Sequence, residues 1–166
     1  MQQNINGSDF FKKPWAMFRD GFGDPMSDYW IGNEKLYELT SIFCNCTLHI
    51  DMYYGGLWYY EEYSTFAISN ETDGYRLLLG PSPSGNASGA LDGQNYKQFS
   101  TNDTDNSGSN CGAFFGVGWW YGTSKGNCQM KPCGVTNLNA ELQCFAWSSL
   151  GNLTSSKMYA VCDNKS

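Results

Sequence analysis

Apolar residues recur along this chain at two different periods, and the change of period divides it. Phe11, Trp15 and Phe18 fall at helical spacing, which predicts a short helix over Phe10 to Arg19 with those rings facing a core. Ser8 or Asp9 stands where its cap belongs, and Pro14 fits only in the first turn. Gly21-Phe22-Gly23-Asp24-Pro25 ends it. A second short helix is expected over Asn33 to Thr40, with Leu36 and Leu39 inward. From Thr47 the period becomes two: Leu48, Ile50 and Met52 alternate with polar residues, as in a half-buried strand. Gly55-Gly56 reads as a hairpin turn. Trp58 to Ile68 reads as the returning strand and Tyr75 to Leu79 as a third, before Pro81-Ser82-Pro83-Ser84-Gly85 breaks the pattern. Phe145-Ala146-Trp147 and Lys157 to Val161 read as short strands rejoining the sheet.

Between these pieces, Phe99 to Asn139 shows neither period. It is dense in Asp, Asn, Ser and Gly, then carries Trp119-Trp120, and Cys111 and Cys133 bracket its second part. Ordered irregular stretches of this length inside a domain are usually functional. The pattern as a whole predicts one α+β domain: a small twisted antiparallel sheet, two short helices upon it, and a loop-rich lobe.

Composition narrows the function classes. Net charge is −6, with only 10 Lys and Arg in 166 residues, too few for the basic surface a nucleic-acid partner demands. No apolar run approaches a membrane span. Seven cysteines with a single histidine, His49, and no CxxC pair argue for disulfides in an oxidising compartment rather than zinc. Seven Asn-x-Ser/Thr sequons occur, at Asn6, Asn45, Asn70, Asn86, Asn102, Asn152 and Asn164, against about two to three expected from composition; Asn45, Asn70, Asn86 and Asn152 are the candidate glycosylation sites. Both features point to a secreted, extracellular protein. Met1-Gln2-Gln3-Asn4 lacks the charged start and apolar core of a signal peptide, so the natural N-terminus is expected to lie upstream.

The acidic start of the loop, Asp103-Thr104-Asp105-Asn106-Ser107-Gly108, has calcium chemistry. Hard cations take oxygen ligands, and carboxylates two residues apart converge when the backbone curls. Ser107 and Ser109 offer carbonyls. Eleven residues after Asp103 an EF-hand would carry a Glu; here it is Phe114. A solvated polar turn would use the same residue types, so spacing alone leaves both readings open. Trp119, Trp120 and Tyr121 read first as a buried anchor for the loop, and in an extracellular loop they could also stack on sugar rings or line an acyl pocket. Catalytic pairs are poorly supported: Glu61 and Glu62 are strand neighbours and point to opposite faces, and His49 alone would have to serve any nucleophile.

Collinear motifs then carry a resemblance. Asn6-Gly7-Ser8-Asp9-Phe10, Trp15, Gly21-Phe22-Gly23-Asp24, Tyr29-Trp30-Ile31-Gly32-Asn33-Glu34-Lys35-Leu36 and Leu39-Thr40 follow the fibrinogen C-terminal (fibrinogen-related) domain in order and spacing. So do Phe99-Ser100-Thr101, Asp103-x-Asp105, Asn110-Cys111, Gly118-Trp119-Trp120-Tyr121, Cys133, Asn137-Leu138-Asn139 and Leu153 to Met158. The resemblance implies a central sheet from residues 9–92 and 153–162, a calcium-and-pocket lobe over 93–152, and in residues 1–8 the trace of a further N-terminal subdomain. It implies a Ca2+ ion on the Asp103 and Asp105 side chains and the Ser107 and Ser109 carbonyls, and a Cys111–Cys133 disulfide. A ligand face is implied at Phe114, Phe115, Tyr121, Cys133 and Gly134. Ficolins and tachylectins use that lobe for acetylated sugars, fibrinogen for a neighbouring chain's knob, and angiopoietin-like members for receptors; none is an enzyme.

Departures reshape the expectation. Phe114 and Phe115 replace polar pocket residues of fibrinogen. Gly134 replaces a histidine that follows the family's cysteine across a cis peptide. An insertion holding Cys128 precedes Cys133, and Ala140 to Cys144 shortens a wall. A fibrin-knob site is therefore excluded. The expected partner is a carbohydrate or acetylated ligand, as in innate immune recognition, or alternatively an extracellular protein; assembly into a homo-oligomer would run through regions beyond this chain. Cys44, Cys46, Cys128, Cys144 and Cys162 have no family counterpart, their connectivity is open, and bridges from the lobe to the sheet are expected.

Overall fold

The structure is a computed structural model, and it describes residues 1–42, 45–80, 83–87, 89–123, 133–141, 144–147 and 150–163. In chain order its strands are β1 (Gln2–Asn4), β2 (Phe22–Gly23), β3 (Tyr29–Trp30), β4 (Asn45–Tyr54), β5 (Leu57–Tyr63), β6 (Phe66–Ile68), β7 (Leu77–Leu79), β8 (Pro83–Gly85), β9 (Ala146–Trp147), β10 (Gly151–Asn152) and β11 (Ser155–Asp163). The helices are α1 (Trp15–Asp20), α2 (Asn33–Ile42) and α3 (Cys111–Phe115). Among the described residues the main sheet runs β2-β3-β1-β11-β4-β5-β8, and its described pairings are antiparallel.

The period-two stretch behaves as its pattern predicts. Leu48, Ile50 and Met52 are fully buried on one face of β4, and Gly55-Gly56, both at positive φ, closes the hairpin to β5. β11 fills the middle of the sheet, paired with β4 from Ser155↔Tyr53 to Asp163↔Asn45. Within residues 1–8, Gln2–Asn4 lies beside β11 as a strand of this same sheet.

Several boundaries differ from expectation. Pro14 does not sit inside one helix. A 3-10 turn, Asp9–Phe11, is capped by the Ser8 hydroxyl, and α1 starts only after Pro14. Proline has no N–H to donate and drives the preceding residue towards extended backbone, so the two turns cannot fuse. In α2, Leu36 is buried but Leu39 is 41 % exposed. Thr40 faces inward instead, donating to the Leu36 carbonyl at 2.9 Å and accepting from the Ile68 N–H at 3.3 Å. The strand expected over Trp58 to Ile68 breaks at Ser64-Thr65. Two consecutive exposed residues there shift the alternation, and the chain leaves the main sheet to pair β6 with β7. Pro83–Gly85, expected to be irregular, forms the edge strand β8, where a proline at the first position is tolerated. Ala146–Trp147 does not rejoin the main sheet; it pairs with β10 and stays in the lobe.

An aromatic knot joins sheet to lobe. Phe18 lies 5.4 Å from Trp30 and 5.2 Å from Phe99, and Phe99 lies 5.1 Å edge-on from Trp120. Rings from α1, β3 and the loop thus form one buried cluster, in contacts worth about 0.5–1.5 kcal/mol each beyond area burial.

Candidate functional site

The lobe's first half is a polar loop held by its own side chains. Ser100 and Trp119 exchange two backbone hydrogen bonds of 3.0 Å, pinning the loop's two ends together. Asn106 staples the turn: its N–H donates to the Ser100 hydroxyl at 2.9 Å and its amide to the Phe99 carbonyl at 2.8 Å. Trp119 and Trp120 are fully buried, and the Trp120 indole donates to the Tyr75 carbonyl at 2.7 Å. The tryptophan pair is therefore the anchor that its position after two glycines predicts. Asn139 completes the frame by donating to the Gly118 carbonyl at 2.8 Å.

The two acidic residues are positioned separately. Asp103 Oδ1 accepts from the Thr101 hydroxyl at 2.6 Å and from the Trp15 N–H at 2.9 Å, so it also ties the loop to the start of α1. Asp105 Oδ1 accepts from the Ser107 N–H at 3.1 Å and from its hydroxyl, while Oδ2 accepts from the Asn110 N–H at 3.2 Å. Partial burial works against ionisation of both carboxyls. The Thr101 hydroxyl and Trp15 N–H at Asp103, and the Ser107 and Asn110 donors at Asp105, outweigh it and hold both below the usual aspartate value. Both are anions, and among the described residues neither has a cationic partner within ion-pair distance. The carbonyls of Ser107 and Ser109 receive no hydrogen bond among the described residues. Two carboxylates without a cationic partner, on a loop that also carries two undonated carbonyls, are oxygen donors of the type a hard cation takes.

The predicted ligand residues fall into two groups. Phe115 stacks on Tyr121 with ring centroids 5.4 Å apart, and Phe114 meets Phe115 edge-on while remaining 50 % exposed. Tyr121 is buried and donates to the Val117 carbonyl at 2.6 Å; burial pushes its phenol well above the ordinary value. Cys133 bonds Cys111, the predicted disulfide, across a separation of 22 residues. Gly134 has φ +95° and packs against Gly122, whose N–H donates to the Cys133 carbonyl at 3.1 Å. Every peptide bond among the described residues is trans, so the cis bond implied after Cys133 is not present.

A cleft of about 210 Å³ adjoins the loop. It is lined by Arg76, Tyr96, Lys97, Gln98, Asn106 and Ser107, and also by Tyr121 and Thr123. Of the predicted ligand residues, Tyr121 alone lines it. Sequence reasoning missed Thr101, Asn106 and the cations Arg76 and Lys97. Thr101 and Asn106 carried a local signal, being short polar residues that flank the acidic pair. Arg76 and Lys97 carried none, since the fold alone brings them there.

The remaining sites separate on exposure. Asn45, Asn70, Asn86 and Asn152 are all exposed, with Asn70 capping a 3-10 turn and Asn86 Oδ1 accepting from the Tyr60 N–H. Cys46 bonds Cys162 directly across the β4–β11 register, so this bridge lies within the sheet rather than between lobe and sheet. Cys144 is also disulfide-bonded. Cys44 and Cys128 lie outside the described residues. Glu61 is buried and Glu62 half-exposed, on opposite faces as predicted, and His49 stacks on Tyr159 at 5.1 Å beside Glu62. No helix among the described residues is long and apolar enough to cross a membrane.

Comparison with known proteins agrees with this geometry. The family model for the fibrinogen beta and gamma chains, C-terminal globular domain, matches residues 1–158. Protein scabrous of Drosophila melanogaster is 42 % identical over 125 residues, covering 73 % of this chain and 15 % of its own length. Ryncolin-4 of Cerberus rynchops is 36 % identical over 141 residues, covering 83 % of this chain and 38 % of its own. The chain therefore spans well under half of either relative. The solved fibrinogen-like globe domain of human ANGPTL2 superposes with a TM-score of 0.83 at 28 % identity, covering 97 % of this chain and 78 % of that one. The chain thus has the fibrinogen-like globe fold along nearly its whole length, and it belongs to the fibrinogen C-terminal domain family, as a non-enzymatic domain.

Proposed function

We propose that the chain is a secreted, calcium-dependent recognition module of lectin type, which binds a carbohydrate or acetylated group at the lobe, as in innate immune recognition. One observation carries the reading: Asp103 and Asp105 are ionised and lack a cationic partner among the described residues, next to the undonated carbonyls of Ser107 and Ser109. Asp103, Asp105, Ser107 and Ser109 would hold Ca2+, which would neutralise the carboxylates and stiffen the turn. The chain itself supplies the polar cleft, in which Asn106 and Gln98 offer amides and Lys97 offers an ammonium to a sugar hydroxyl or an acetyl carbonyl, while Arg76 is held by Asp73 and the Tyr96 carbonyl. Calorimetry with Ca2+ tests the site: one binding event is expected, lost in the Asp103→Ala, Asp105→Ala double variant, and retention there would refute the assignment. Titration with N-acetylglucosamine, with and without chelator, tests the ligand; heat only in calcium is expected, and none in either condition would remove the lectin reading.

A second reading, binding of an extracellular protein by the same lobe, is favoured by the half-exposed Phe114 ring beside Phe115. A Phe114→Ala variant that loses a protein partner while keeping its calcium heat would decide for it.

A further inference from the structure

The outer face of the sheet carries a surface that the lobe does not account for. On the outer face of the sheet, strand register places Gln3, Lys157, Asp51 and Tyr60 in one row, and Ser155, Tyr53 and Trp58 in the next. Trp58 is 64 % exposed and Tyr60 50 % exposed, although β4 and β5 belong to the most regular part of the fold. Tyr53 props the Trp58 ring from behind at 5.1 Å. Two clefts open here, of about 350 and 240 Å³, and both are lined by Asp51 and Trp58, so they adjoin one another as a groove flanking the indole. None of their lining residues lies in the lobe.

The chemistry of the groove selects its occupant. Asp51, Ser155 and Lys157 line it, and their side chains make no hydrogen bond or ion pair with one another or with other described residues; the Lys157 ammonium lies 5.9 Å from the centre of the Tyr159 ring, next along the same strand face. One anion and one cation on register-paired residues leave the groove with no net charge, yet with strong acceptors and strong donors side by side. A singly charged ligand would be attracted by one and repelled by the other, and so would gain no net electrostatic attraction here. A neutral ring with hydroxyls on its rim and an apolar C–H face satisfies all of them: hydroxyls donate to Asp51 and accept from Lys157, and the C–H face lies on the exposed indole. We infer that this groove is a second binding site, for a neutral pyranose sugar, which needs no metal ion.

The inference is independent of the calcium lobe, and its test separates the two. The methyl glycosides of glucose, galactose and mannose and their 2-acetamido analogues are titrated in chelator by saturation-transfer NMR and calorimetry. Binding of at least one is expected in chelator, unchanged in Asp103→Ala, Asp105→Ala. Trp58→Ala should weaken it about tenfold, the loss of one aromatic stacking contact, while Trp58→Phe, which keeps a ring, retains most of it. Because Trp58 is exposed, circular dichroism of the variants should match the parent. No binding in chelator by any of the six glycosides would overturn the inference, as would undiminished affinity in Trp58→Ala or loss of binding in the calcium-site double variant.

Discussion

Replacing Gly112 by alanine tests how the lobe is fastened to the rest of the fold. A methyl group there would stand 2.1 Å from the Thr101 carbonyl oxygen and 2.5 Å from its carbon. Both are backbone atoms, so no side chain can rotate away. Thr101 is itself fixed, with its N–H on the Thr104 carbonyl at 2.9 Å, its hydroxyl on Asp103, and its neighbour Ser100 bridged to Trp119. On the other side the Cys111–Cys133 bond restrains α3. Alanine gains about 1 kcal/mol of helix propensity over glycine. Overpacking against a rigid neighbour costs about 3 kcal/mol or more, so the clash prevails and the net loss is about 2–3 kcal/mol. For a domain of this size that lowers Tm by about 5–10 °C. Gly108→Ala is the control: nothing lies within 4 Å, but its φ of +69° costs a side chain about 1–2 kcal/mol. Thermal and urea unfolding followed by near-ultraviolet circular dichroism, which reports the packed tryptophans, gives both values. Gly112→Ala within about 0.5 kcal/mol of the parent, or milder than Gly108→Ala, would refute the close approach of α3 to Thr101.

Three further outcomes are expected. Removing the Cys111–Cys133 cross-link with paired alanines should cost about 3 kcal/mol on the loop-entropy model, given the separation of 22 residues, and should weaken calcium binding as measured by calorimetry. Asp103 and Asp105 sit below the 3.8 of an unfolded aspartate, so their contribution is complete above that pH and is lost as pH falls through the lower folded values; in calcium-free protein, amide protection factors of residues 101–110, corrected for the intrinsic exchange rate at each pH, should hold at pH 5 and fall only below about pH 4. Glu61 has the opposite sign. Burial raises its carboxyl, against hydrogen bonds from Gly89 and Ala87, so its ionisation costs stability as pH rises past the unfolded value of 4.5. Glu61→Gln keeps an acceptor and removes the charge; it should unfold at higher urea than the parent at pH 7, with the difference shrinking towards pH 4.

Much of this fold was legible because its signals are local. The alternation of Leu48, Ile50 and Met52 and the glycine pair after Tyr54 needed only neighbours a few residues away, and the hairpin follows them. Leu39 misled because helical spacing fixes which residues share a face, while the sheet decides which face is buried; Thr40 won that position by offering a hydroxyl to the Ile68 N–H. Ala146–Trp147 misled for a related reason, since a two-residue strand records no preference between partners.

By itself the sequence determined the family, the helix-to-strand change of period, the Trp119-Trp120 anchor and the oxygen-rich run from Asp103 to Ser109, all written in residue types at short, fixed separations. Only the tertiary structure decided that Trp15 of α1 reaches Asp103, that Arg76 and Lys97 line the cleft beside Ser107, that Cys46 meets Cys162 across 116 residues, and that Asp51, Trp58 and Lys157 share one groove. Those meetings come from strand register and loop packing, where the free energy of many weak contacts sets one arrangement, and no single residue along the chain encodes them.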